Sequence, residues 1–185
     1  MKPHICPWRL AYLFDNPFRG WVHNPLKILG AYVHPGMTVL DVGCGMGFFS
    51  IALARLVGKE GSVISVDLQQ EMLQVLEKRA VRAGVAGRIR TRRSSPGDLG
   101  LSAKVDFILA FWMIHEVPDR AQLFRQLAPL LRESGSLLIA EPKIHVSGED
   151  FQETLEIAGS AGWSHVGNLP IRFSRAAVLR VSGFP

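Results

Sequence analysis

The chain has 185 residues, 48% hydrophobic and 20% charged, with a formal net charge of +5. That make-up belongs to one folded domain with a substantial core and excludes a disordered chain. No apolar run approaches the roughly 18–20 residues of a membrane helix, and the first residues carry no secretory pattern. Only Cys6 and Cys44 are present, which excludes a disulfide scaffold and points to the reducing cytoplasm.

Residues 1–36 form a segment apart, rich in aromatics and prolines, with Trp8, Phe14, Phe18 and Trp21 as a candidate aromatic lid. Asn24-Pro25 predicts a helix start, Asn as cap and Pro in the first turn. Leu26, Leu29 and Val33 would share its inner face, and His34-Pro35-Gly36 would stop it. His4 and Cys6 are an incomplete metal set, and no metal is assigned. Residues 37–185 form the second unit. A strand is expected over 38–42, then a glycine loop, a helix over 47–57, a strand over 62–67 and a helix over 70–83 whose Met72, Leu73, Leu76 and Ala80 face one way. A third strand follows over 88–93. Its Arg88, Arg90 and Arg92 alternate onto one face, as on a solvated edge strand. The cluster lacks interleaved aromatics, so nucleic acid is not the expected partner. A fourth strand covers 105–111. Asp119 caps a helix striped by Leu123, Phe124 and Leu127, and Glu133-Ser134-Gly135 turns into a fifth strand over 136–141. Ser147 to Asp150 has capping-box spacing, and two last strands lie near 163–167 and 176–181. Alternating strands and helices predict an α/β, doubly wound, mostly parallel sheet that binds its ligand beyond the carboxyl ends of the strands.

After the first strand comes Asp41-Val42-Gly43-Cys44-Gly45-Met46-Gly47-Phe48. Glycines here let backbone approach a ligand. A dinucleotide fingerprint needs a small residue where Phe48 stands, and no Gly-Lys-Ser/Thr follows for a P-loop. The second strand ends in Asp67, about 20 residues on, where a carboxylate can accept from vicinal ribose hydroxyls. Capping the next helix is its other reading.

Leu40 to Gly47 and Ser65-Val66-Asp67 resemble the first two motifs of class I S-adenosylmethionine-dependent methyltransferases, and Glu133 to Leu138 resembles that family's loop before the fifth strand. The likeness is to small-molecule enzymes of the quinone-biosynthesis type. It implies a Rossmann-like sheet of seven strands, the last antiparallel, and S-adenosylmethionine as cofactor. Asp41, Gly43, Cys44, Gly45 and Gly47 would hold its methionine part. Asp67 would hold the ribose, and Leu68, Met72, Ser94, Ser95 and Phe111 would border the rest. Ser94 and Ser95 stand where many members carry an Asp toward the adenine amino group.

Methyl transfer needs alignment above all, and some acceptors need a general base. His115 and His145 follow the fourth and fifth strands and are the candidates for base or substrate contact, with Glu116 or Glu141 orienting a histidine. The expected acceptor is a small, partly apolar molecule. A nicotinamide-dependent oxidoreductase and a non-catalytic cofactor-binding protein are the alternatives.

Overall fold

The computed structural model describes residues 19–183. Two short helices, α1 (Arg19–Val22) and α2 (Pro25–Leu29), lead into the sheet. Then β1 (Thr38–Val42), α3 (Phe48–Leu56), β2 (Ser62–Asp67), α4 (Gln70–Arg82) and β3 (Ile89–Arg93) follow. After them come β4 (Val105–Phe111), α5 (Arg120–Leu127), β5 (Leu131–Pro142), α6 (Gly148–Ser160), β6 (Trp163–Asn168) and β7 (Ser174–Val181). The seven strands lie in the order β3-β2-β1-β4-β5-β7-β6. Strands β1 to β5 pair in parallel, and β7 runs antiparallel to both β5 and β6. This is the expected Rossmann-like sheet with an antiparallel last strand.

The central strands are buried on both faces, which is why β1 and β4 are almost wholly apolar. On one face Leu29, Phe49 and Leu53 from α2 and α3 pack on Val39, Phe107 and Leu109. On the other, Leu123 and Phe124 of α5 and Phe151 of α6 cover Leu40, Ile108 and Ile139. Truncating either Phe107 or Phe124, both fully buried, would cost about 3–5 kcal/mol.

Local rules set most boundaries. Asn24 accepts from the backbone N–H groups of Leu26 and Lys27, Asp119 accepts from Gln122, and Ser147 with Asp150 forms the capping box. Arginine-rich β3 is an edge strand whose Arg93 donates to the Leu68 carbonyl, while Arg88, expected on the strand, lies in the turn before it and donates to the Ala54 carbonyl.

Three expectations need correction. Helix α2 stops at Leu29, before His34, with Gly30 as its C-cap donating to the Leu26 carbonyl. Leu26 is 55% exposed, so only Leu29 and Val33 are buried. Glu133-Ser134-Gly135 lies within β5. Leu131 pairs with Val105 and Ser136 with Phe107, so residues 132–135 form an irregularity in the ladder. Arg132 there holds Asp106 at 2.8 Å, and the Asp106 carboxylate accepts from the Thr38 N–H. The expected lid residues Trp8, Phe14 and Phe18, with His4 and Cys6, lie outside the described residues, as does the side chain of Trp21. Among the described residues no helix is long and apolar enough to cross a membrane.

Candidate active site

The carboxyl ends of β1, β2, β4 and β5 open into one cleft of about 670 Å³, a size suited to a small ligand with its cosubstrate. At one end lies the glycine loop. It is fastened by backbone: Cys44 N–H donates to the Val66 carbonyl at 3.0 Å, and Gly47 N–H to the Cys44 carbonyl at 3.0 Å. Gly45 N–H donates to Asp67 Oδ2 at 2.9 Å. Asp67 Oδ1 accepts from Gln69 N–H at 2.9 Å. Asp67 thus braces the loop and the turn into α4 without capping the helix, each oxygen has a second lone pair, and the residue lines the cleft at 9% exposure. Burial pushes its carboxyl above the usual range against the opposing pull of these N–H groups.

Beneath the loop, Ser65 Oγ donates to Ser50 Oγ at 3.0 Å, and Ser50 Oγ to Asp41 Oδ2 at 2.6 Å. This buried chain ties β2 and α3 to β1. Cys44 faces the cleft, and burial, reinforced by the charges of Asp41 and Asp67, pushes its thiol well up. It is a packing thiol rather than a nucleophile.

Gly47 is the one expected binding residue that does not line the cleft. It has φ +86°, and a Cβ there would stand 2.1 Å from Leu76 Cδ1. Its glycine serves the left-handed start of α3 and the approach of α4. Gly43 does line the cleft, and a Cβ there would meet the Cβ of Met113 at 2.7 Å.

Leu68, Met72, Ser94 and Ser95 form the side wall. The wall continues over residues 96–99, which sequence reasoning missed. Ser95 and Asp98 exchange backbone hydrogen bonds. Gln126 clamps the loop from α5, accepting from Leu99 N–H and donating to the Gly97 carbonyl. Asp98 lies four positions beyond Ser94, outside the segment directly after the strand, but its Pro96-Gly97-Asp98 turn signal was legible.

At the far end stand Phe111, Trp112, Met113, His115, Glu116, Ile144 and His145. Phe111 packs on Phe49 with ring centroids 4.3 Å apart. Trp112 has a positive φ of 58°, held by its N–H to the Ala140 carbonyl at 2.7 Å and its indole N–H to Ser174 Oγ at 2.9 Å. The rings of His115 and His145 stack at 5.8 Å. The partner that orients His115 is Glu141, whose Oε2 lies 2.5 Å from Nδ1. Glu116, the other carboxylate offered for that role, stands 4.0 Å from Nε2 on the ring's other side. Burial would lower the imidazole pKa, but the hydrogen bond and charge of Glu141, with the charge of Glu116, reverse it and the net direction is up. Among the described residues no three His, Cys, Asp or Glu side chains gather as a metal set.

A family model described as a methyltransferase domain matches residues 33–168. The chain belongs to this methyltransferase family. The chain is 32% identical over 122 residues to a ubiquinone biosynthesis O-methyltransferase of Xanthomonas axonopodis pv. citri (strain 306), covering 63% of this chain and 49% of the relative. It is 28% identical over 124 residues to a ubiquinone/menaquinone biosynthesis C-methyltransferase, UbiE, of Vibrio vulnificus (strain YJ016), covering 66% and 47%. It thus spans about half the length of these relatives. Its fold matches a SAM dependent methyltransferase from Aquifex aeolicus with TM-score 0.86 at 24% identity, over 95% of this chain and 98% of that one. The [4+2]-cyclase SpnF shares the fold at TM-score 0.71 and 15% identity, over 86% and 82%.

Proposed function

We propose that the chain transfers a methyl group from S-adenosylmethionine to a small, partly apolar acceptor in the cytoplasm. One observation carries this reading: a single cleft joins the buried Asp67 carboxylate, whose oxygens keep lone pairs, to an aromatic end that presents His115 and His145. Bound there, S-adenosylmethionine supplies an electrophilic methyl on a sulfonium. The ribose hydroxyls would donate to Asp67, and Leu68 and Met72 would flank the adenine. Ser94, Ser95 and the neighbouring Asp98 offer acceptors to its amino group. The loop Gly43, Cys44 and Gly45, with Asp41 behind it, would hold the methionine part, and Phe111 would border it. Gly47 supports this loop from outside the cleft. The acceptor would lie against Trp112, Met113 and Ile144, where apolar walls exclude water and align the attacking atom. His115 and His145 would contact it.

Isothermal titration with S-adenosylhomocysteine tests the proposal. Wild type should bind at micromolar or tighter affinity. Asp67→Ala, folded by circular dichroism, should lose at least about 100-fold, since two hydrogen bonds to a charged group are worth about 1.5–3 kcal/mol each. Absence of binding by wild type would sink the proposal. Tight binding with no methyl transfer to any acceptor would leave a non-catalytic cofactor-binding protein.

A further inference from the structure

The sheet has two open edges, β3 and β6, and they are guarded differently. β6 carries a register shift between His165 and Gly167, and such a bulge turns an edge away from further pairing. β3 pairs with β2 in unbroken register from Ile89 to Arg93 and contains no proline. Ser94 N–H donates to the Asp67 carbonyl. By alternation the backbone of Arg92 also faces β2, while Thr91 and Arg93 turn their N–H and carbonyl groups away from the sheet. The two faces of β3 differ as well. Ile89 packs on the core beside Phe49 and Leu53 of α3 and Ala80 of α4, and Thr91 Oγ donates to Glu77 of α4. Val81 lies one turn beyond Glu77 on the same stripe of that helix and is 68% exposed. Arg90 and Arg92 project from the opposite face of the strand. The connection that follows, residues 94–104, has no helix to cover them, and both are exposed. Among the described residues neither arginine has a carboxylate partner.

We propose that β3 accepts an extended acidic segment of a partner protein as an added strand. Glu or Asp at alternate positions would lie over Arg90 and Arg92, and apolar side chains between them would cover Val81. The outward groups of Thr91 and Arg93 supply the main-chain hydrogen bonds, and the alternate side chains supply the selection. Each guanidinium can take a carboxylate in a paired, two-bond geometry. A uniformly acidic run is disfavoured, because its other face would meet the Glu77 carboxylate. A second copy of β3 would set arginine against arginine, and like charges placed opposite one another destabilise a ladder. A nucleic acid has no regular series of donors and acceptors to match Thr91 and Arg93. The arginines that keep other copies of this chain off the edge are thus the groups that select its partner.

The full chain is titrated by NMR with a capped peptide about seven residues long that alternates Glu and Val. Binding with Kd below about 1 mM is expected, weakening as NaCl rises, with slowed hydrogen exchange at the amides of Thr91 and Arg93. A peptide of the same composition with its Glu residues in one block, and one that alternates Lys and Val, should each bind at least about 10-fold more weakly. Thr91→Pro removes an outward N–H and none from the β2 ladder. It should keep the circular dichroism of wild type and lose at least about 10-fold in affinity for the alternating acidic peptide. Arg90→Glu combined with Arg92→Glu should lose as much and turn the preference toward the Lys and Val peptide. No binding of the alternating acidic peptide, equal binding of its blocked isomer, or unchanged affinity in both variants would overturn the proposal. Protection of the same two amides by duplex DNA, or by raising the protein concentration alone, would overturn it too.

Discussion

At one end of the cleft, residues 43–47 are fastened to β2 by one main-chain hydrogen bond, from Cys44 to Val66, and Asp67 is held by two N–H groups. At the other end, His115 depends on a side chain 26 positions away in sequence, and Trp112 on Ser174, 62 positions away. The first end is held by backbone N–H donors of the loop and the second by side-chain contacts drawn from separate strands. A backbone cradle is bound to the stability of the fold, whereas a side-chain assembly can change its chemistry while the fold persists. The ends should therefore answer differently to substitution.

Gly47→Ala should have the largest effect. It places a Cβ at a left-handed φ and against Leu76, costing about 2–4 kcal/mol. Thermal unfolding should fall together with S-adenosylhomocysteine affinity. Lost stability with intact affinity would break the link between cradle and fold. Ser50→Ala removes the hydroxyl donor to buried Asp41, at about 1.5–3 kcal/mol, and should again weaken both properties. At the other end, His115→Gln should leave that affinity intact, and its stability effect should depend on pH. The folded pKa is raised, so the pairing stabilises fully below the ordinary histidine value and is lost as pH rises through the folded one. The gap in melting temperature between wild type and variant should shrink along that rise. A gap that widens toward alkaline pH would contradict the pairing. The smallest effect is expected at Phe173, 56% exposed with φ 57°. Asn tolerates that conformation better, so Phe173→Asn should stabilise by about 0.5–1 kcal/mol in denaturant titration without altering ligand affinity.

The same contrast explains what the sequence revealed. β4 was readable to the residue because seven consecutive positions are buried or nearly so. The caps Asn24, Asp119 and Ser147 were readable because a cap is a short-range event. The glycine loop and Asp67 were readable because their geometry repeats over about 20 residues. Glu141 could only be offered beside Glu116, since nothing local tells which carboxylate turns toward Nδ1. The left-handed backbone of Trp112 carries no sequence mark, because distant Ser174 and Ala140 hold it. The β5 irregularity was hidden by a Gly-containing segment that looks like an ordinary turn. Gly47 was found as a glycine, but the α4 side chain crowding it was not, since a close helix and a close ligand demand the same residue.

The placement of β7 bears on how the chain is made. β6 emerges from the ribosome first, yet in the sheet its sole neighbour is β7, which separates it from β5. Residues 163–168 therefore have no ladder to join until residues 174–181 exist. Until then the growing protein carries one open β5 edge and one unpaired strand, the condition most prone to pairing with another copy. Completion of the sheet waits on its penultimate strand in space, which is its last in time.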